Sequence, residues 1–241
     1  MNDSNVTYSL NPIQHTTMRF CLPPSATALL VLLSINLLSI TSAWAGRPLS
    51  VDDANVNDAG NGHVETWVNR APGSTVYNIA PAFAIKENLE ISATLSRESQ
   101  SKAQATAIQA KYRISPSNPK GCNTAVAGGV QHANQGGASS SNTNTTYVYG
   151  ALSCNTAGVA IHANLGLNKP SGDSSRRSWG VAVEREIGAV TAHAEYFGQQ
   201  GNSPTAQIGL RGDVAKGIQL DGTMGRNSGE NVYSLGMKFS F

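Results

Sequence analysis

In a chain of 241 residues only 13% are charged, about half the roughly 25% usual in a soluble protein. The net charge of +2 excludes the strongly basic footprint that a nucleic-acid partner requires. Gly is plentiful at 24 residues and long apolar runs are scarce, a composition that suits a transmembrane β-barrel. There each strand alternates a lipid-facing with a lumen-facing residue, so no window looks strongly hydrophobic.

The one long apolar stretch comes early, at Ala26–Ile40. Arg19 precedes it, and Ala43-Trp44-Ala45 follows as a small-x-small cleavage pattern. Residues 1–45 therefore read as a secretory signal peptide cut after Ala45, the apolar core being shorter than the ~20 residues of a spanning helix. Met1–Thr17 is polar and sits poorly before a signal, so Met18 is a candidate translation start. Gly46–Gly62 lacks periodicity and holds three Asp, which predicts a periplasmic N-terminal segment, long enough to reach into a barrel mouth as a plug.

From residue 63 to 241 the sequence predicts an all-β, antiparallel transmembrane barrel of about twelve strands. They run at about 63–70, 75–85, 89–98, 103–114, 122–131, 145–154, 157–167, 178–187, 189–197, 205–214, 218–226 and 232–241. Leu89, Ile91, Ala93 and Leu95 alternate with Glu90, Ser92, Thr94 and Ser96, and Val159, Ile161, Ala163 and Leu165 alternate in the same way. At 145–154 the phase is ambiguous, because Tyr147 and Tyr149 compete with Val148 and Leu152 for the lipid face. With the N-terminus in the periplasm, most short turns fall inside and the long polar segments 132–144 and 168–177 fall outside; 115–121 is a longish inner turn. An even pair of cysteines in an exported protein reads as a disulfide, and joining Cys122 to Cys154 sets Val126 opposite Gly150 and Val130 opposite Thr146.

Opposite the apolar phase lie the lumen candidates Glu65, Glu90, Lys111, Arg113, His162, Glu184, His193, Glu195, Arg211, Asp221 and Lys238. Their signs are mixed, which fits either a polar passage or charges that satisfy one another. His193 and Glu195 share a face with His162 nearby, but two ligands on one strand are a common accident, so no metal or other cofactor is assigned. No Ser is forced beside a His by the sequence, and no catalytic residue is assigned.

The chain ends on Ser234-x-Gly236-x-x-Phe239-x-Phe241, which resembles the terminal signal by which bacterial outer-membrane barrels are recognised by their assembly machinery. An unclosed barrel has a strand edge that templates pairing, so such a strand can dock by strand addition. Arg47–Val68 resembles the opening of small proteobacterial outer-membrane proteins of the "MetA-pathway of phenol degradation" and transporter type, through Arg47-Pro48-Leu49, Asp52-Asp53-Ala54 and Glu65-Thr66-Trp67. That resemblance implies uptake of small, including aromatic, compounds. The expectation is an outer-membrane barrel acting as a narrow pore or transporter, with lipid, the assembly machinery and a small solute as partners. A closed, surface-presenting barrel is the alternative, and a barrel enzyme comes third.

Overall fold

The structure is a computed structural model that describes residues 49–136 and 141–241; the predicted signal peptide lies outside them. Twelve strands follow one another: β1 Gly62–Ala71, β2 Ser74–Lys86, β3 Leu89–Glu98, β4 Gln104–Arg113, β5 Cys122–Asn134, β6 Asn142–Thr156, β7 Val159–Pro170, β8 Arg176–Ile187, β9 Val190–Gln199, β10 Thr205–Ala215, β11 Ile218–Asn227 and β12 Glu230–Ser240. Each pairs antiparallel with its sequence neighbours, and β12 returns to β1 to close the barrel. Closure leaves no unpaired edge, the condition for a sheet to cross lipid. At the seam Phe241 and Gly62 exchange both backbone hydrogen bonds at 2.9 Å, so the last residue helps close the ring.

The two-residue period drives the architecture. Leu165 and Leu235 point outward with 69% and 71% of their surfaces exposed, within a belt that includes Ile108, Val130, Ile208 and Met224. Their strand neighbours point inward and are polar or small. The ambiguous strand resolves on its side chains: Tyr147 and Tyr149 are buried in the lumen, while Val148 and Leu152 face out. Buried tyrosines need a partner for the hydroxyl, and only the lumen supplies one, since Tyr149 donates to the carboxylate of Asp52.

Several strand boundaries differ from the expected ones by one to three residues, and two of the differences have a clear cause. The β5–β6 ladder continues to Asn134 opposite Asn142, so residues 132–134 and 142–144 of the predicted outer loop 132–144 are strand. Polar residues there extend the ladder because above the lipid either face of the sheet can be wet. The β6–β7 turn is Ala157-Gly158 rather than Asn155-Thr156, with φ of 49° and 76°. Two successive left-handed residues make the tight hairpin turn whose twist matches the strands.

Cys122 and Cys154 stand opposite one another and form the disulfide, with Val126 facing Gly150 and Val130 facing Thr146 as the spacing predicts. The bridge spans 32 residues of sequence, and a loop of that length restrains the unfolded chain by roughly 3–4 kcal/mol. Replacing both cysteines by Ser should lower the urea midpoint in lipid vesicles by that margin and leave any conductance unchanged. An unaltered midpoint would mean that the bridge adds no stability.

Ahead of β1 the chain runs inside the barrel. Leu49, Val51, Asp52 and Ala54 are all at most 3% exposed. Leu49 and Val51 pack with Ala182 and Phe197, and Ala54 sits among Ala125, Ala127, Tyr147, Tyr149 and Ala151.

Candidate functional site

All eleven charged or imidazole side chains expected in the lumen occupy the inward phase of their strands: Glu65 on β1, Glu90 on β3, Lys111 and Arg113 on β4, His162 on β7, Glu184 on β8, His193 and Glu195 on β9, Arg211 on β10, Asp221 on β11 and Lys238 on β12. They fall into groups. Glu184 receives Arg211 on both carboxylate oxygens, at 2.9 and 3.0 Å, and lies 3.4 Å from His162 Nε2. His193 stands directly across from Glu184 on the neighbouring strand, and Asp221 stands across from Arg211. Lys238 is opposite Glu65, and Lys111 is opposite Glu90. Arg113 sits apart at the inner rim, donating from Nη2 to the Glu87 carbonyl at 2.8 Å.

The nearest ring nitrogen of His193 and carboxylate oxygen of Glu195 are 4.0 Å apart, beyond a hydrogen bond. Glu195 instead accepts the backbone N–H groups of Ser50 and Val51 at 2.6 and 2.8 Å, and Gln207 Nε2 at 2.7 Å. No group of three or more His, Cys, Asp or Glu among the described residues is arranged to hold a metal ion.

At the centre stands a residue that inspection of the strands misses. Asp52, fully buried, accepts Lys111 Nζ at 3.1 Å on one carboxylate oxygen and the Tyr149 hydroxyl at 2.5 Å on the other. Asn164 grips the main chain of the same residue twice, accepting its N–H at 2.6 Å and donating to its carbonyl at 2.8 Å. Two residues on, the Ala54 N–H donates to Ser153 Oγ at 2.8 Å. Ser153 Oγ lies 2.7 Å from His162 Nδ1, which links this contact to the Glu184 group. Lower down, Asn57 donates to Glu90 through both its backbone and its side chain, at 3.2 and 2.8 Å.

Two cavities flank the threaded segment. One, of about 170 Å³, lies beside residues 53–57 and is lined by Glu65, Trp67, Glu90, Lys111 and Lys238. The other, of about 80 Å³, lies above Val51 and is lined by amide and hydroxyl side chains, among them Asn164, Asn168, Gln199 and Thr205, together with Phe197. A signal for the threaded segment exists in the sequence. Leu49 and Val51 are apolar residues in a polar stretch with no strand to join, and they need cover.

No curated protein matches the chain. Solved structures with the same architecture include the KdgM porin, with a TM-score of 0.62 at 12% identity over 74% of this chain and 99% of that one. KdgM in complex with disordered oligogalacturonate gives 0.61 at 14% over the same shares. The NanC porin gives 0.55 at 11% over 74% and 98%. At these identities the likeness is one of fold: this chain is a twelve-stranded barrel of the kind seen in outer-membrane porins. A family model matches residues 33–235, most of the chain, and the chain belongs to the family described as "Uncharacterised conserved protein UCP029691".

Proposed function

We propose that the protein is an outer-membrane barrel that serves as a narrow pore or transporter for small molecules, held shut at rest by the segment 49–57. The observation that carries this reading is how the lumen is filled. A barrel that only needs a core can be packed with apolar side chains; here a polar, charge-lined interior surrounds a segment that leads into β1 and is held by hydrogen bonds and an ion pair from the wall. The outward apolar belt supports residence in lipid, and the porin fold supports transport. We assign no reaction to the barrel.

The solute class follows from the lining. Among the eleven lumen positions five carboxylates stand against four cations, close to balance once the segment carrying Asp52 and Asp53 has left. A lining so nearly balanced offers no cationic track for a polyanion such as the oligogalacturonate of the KdgM complex, so small neutral or weakly charged solutes fit better. The finer assignment, to the phenol-degradation type of transporter, rests on the Arg47–Val68 motifs. Inward-facing Trp67, Tyr147, Tyr149 and Phe197 would offer an aromatic solute faces to stack on. We also assign Ser234, Gly236, Phe239 and Phe241 as the strand read by the assembly machinery.

Planar-bilayer recording on the refolded chain from Gly46 tests the pore. Wild-type barrels should be mostly silent with rare unitary steps. Replacing Lys111 and Arg113 by Glu should give frequent steps with permeability shifted toward cations. A barrel that is folded by heat-dependent gel mobility but silent in both forms would retire the pore in favour of a closed, surface-presenting barrel.

A further inference from the structure

Beyond a simple obstruction, we infer that the centre of the lumen is a peptide-binding site, filled in cis by residues 50–54. A short peptide of the pattern aliphatic–Asp–x–Ala, bent as the cis copy is at Ser50, Val51 and Ala54, can fill it in trans. The inference deepens the pore reading by naming a class of ligand, and it rests on that reading only for its electrical test.

The main chain of the segment is read almost residue by residue. Glu195 accepts the N–H groups of Ser50 and Val51, Asn164 takes both the N–H and the carbonyl of Asp52, Lys111 reaches the Asp53 carbonyl at 3.4 Å, and Ser153 accepts the N–H of Ala54. In a wet lumen a peptide backbone could be satisfied by water alone. A side chain aimed at each of these groups instead makes a berth. Main-chain hydrogen bonds then give affinity, and pockets for individual side chains give selectivity.

Three side-chain slots supply selectivity. The Asp52 carboxylate is held between Lys111 Nζ and the Tyr149 hydroxyl. Val51 fills a notch at Gly180, where a β-carbon would lie 2.7 Å from Val51 Cγ2. Only glycine leaves room for a β-branched aliphatic at that point. Ala54 lies against Ala125, Ala127 and Ala151, a floor that admits a small side chain. The groups doing the reading come from β4, β6, β7, β8 and β9 and are 58 to 145 residues from their targets in sequence. The berth therefore belongs to the barrel, not to the segment's own neighbourhood.

A tethered segment enjoys an effective concentration in the millimolar range, so a free peptide competes only once the cis copy is weakened. The experiment uses the full chain from Gly46 with Asp52→Lys, which sets a second cation against Lys111. Val51→Glu is a second displacing variant, and the folding of each is read by heat-dependent gel mobility. The probe is a fluorescently labelled peptide of residues 49–57, with anisotropy measured on barrels in lipid nanodiscs. Saturable binding to either displaced variant is expected. It should weaken by about ten- to a hundredfold when the peptide carries Asn in place of Asp52, and by a similar factor when the barrel also carries Gly180→Val. Wild-type barrels, occupied in cis, should bind far less. Absence of binding up to about 1 mM, the concentration that matches the tether, or equal binding of a scrambled peptide, overturns the site. In bilayers the same peptide should shorten the openings of the displaced variants. Binding without conductance would remove the pore and leave the site; conductance without binding would do the reverse.

Discussion

Asp52→Lys should turn a mostly closed barrel into a mostly open one. Asp52 is the buried counter-charge of Lys111, with both side chains withdrawn from solvent. Breaking such a pair from one side leaves an uncompensated buried charge, at a cost of roughly 3–5 kcal/mol. Lysine at position 52 adds repulsion to that loss. Spent entirely on docking of the segment, this shifts the closed-to-open ratio by about a hundred- to several-thousandfold. The Tyr149 hydroxyl loses its acceptor on Asp52 in the same step. Combining the change with Lys111→Asp restores a pair of opposite sign in the same place and should recover much of the closure. Open probability in single-channel records reads both effects. An Asp52→Lys barrel that stays as closed as wild type, though folded, would show that the segment does not gate the lumen. Failure of the swap to rescue would place the stabilisation in the main-chain bonds of Asn164 and Glu195 instead.

The second large effect is expected on the opposite face of the sheet. Leu235 lies in the middle of β12, with Val68 and Gly222 as its cross-strand partners, and is 71% exposed. If that surface meets hydrocarbon, Leu235→Arg should destabilise the barrel by about 2–4 kcal/mol, the penalty for a guanidinium near the bilayer midplane. Arg226 provides the comparison. It also points outward but sits at the outer end of β11, where its Nη2 donates to the Gly229 carbonyl. A guanidinium there sits where the penalty has faded toward the interface, so replacing it by Ser should change stability little in either direction. Urea titration in lipid vesicles measures both. Equal, small effects at the two positions would mean that the apolar belt does not face lipid.

The sequence by itself determined the strand count, the antiparallel order and the parity of nearly every side chain. A period of two is a local property, and a charged residue within an alternating run has only one face it can take. The cysteine pairing was legible for the same reason, because two hairpin strands of matched length bring Cys122 opposite Cys154 without reference to anything else. Tyr147 and Tyr149 were not legible, since their strand alternates two kinds of large residue. Only the acceptors waiting in the lumen decide which kind turns inward. Partners across the lumen were equally hidden. Periodicity says that Lys111, Ser153, Asn164 and Glu195 face inward, but not that they converge on one stretch of chain. That convergence depends on how the closed barrel brings distant strands around a common axis, and on a segment with no periodicity of its own. The length of residues 49–57 and the apolar Leu49 and Val51 hint that the segment seeks cover, but its bent path is set by the side chains that hold it, so its shape is a tertiary property that no local pattern encodes.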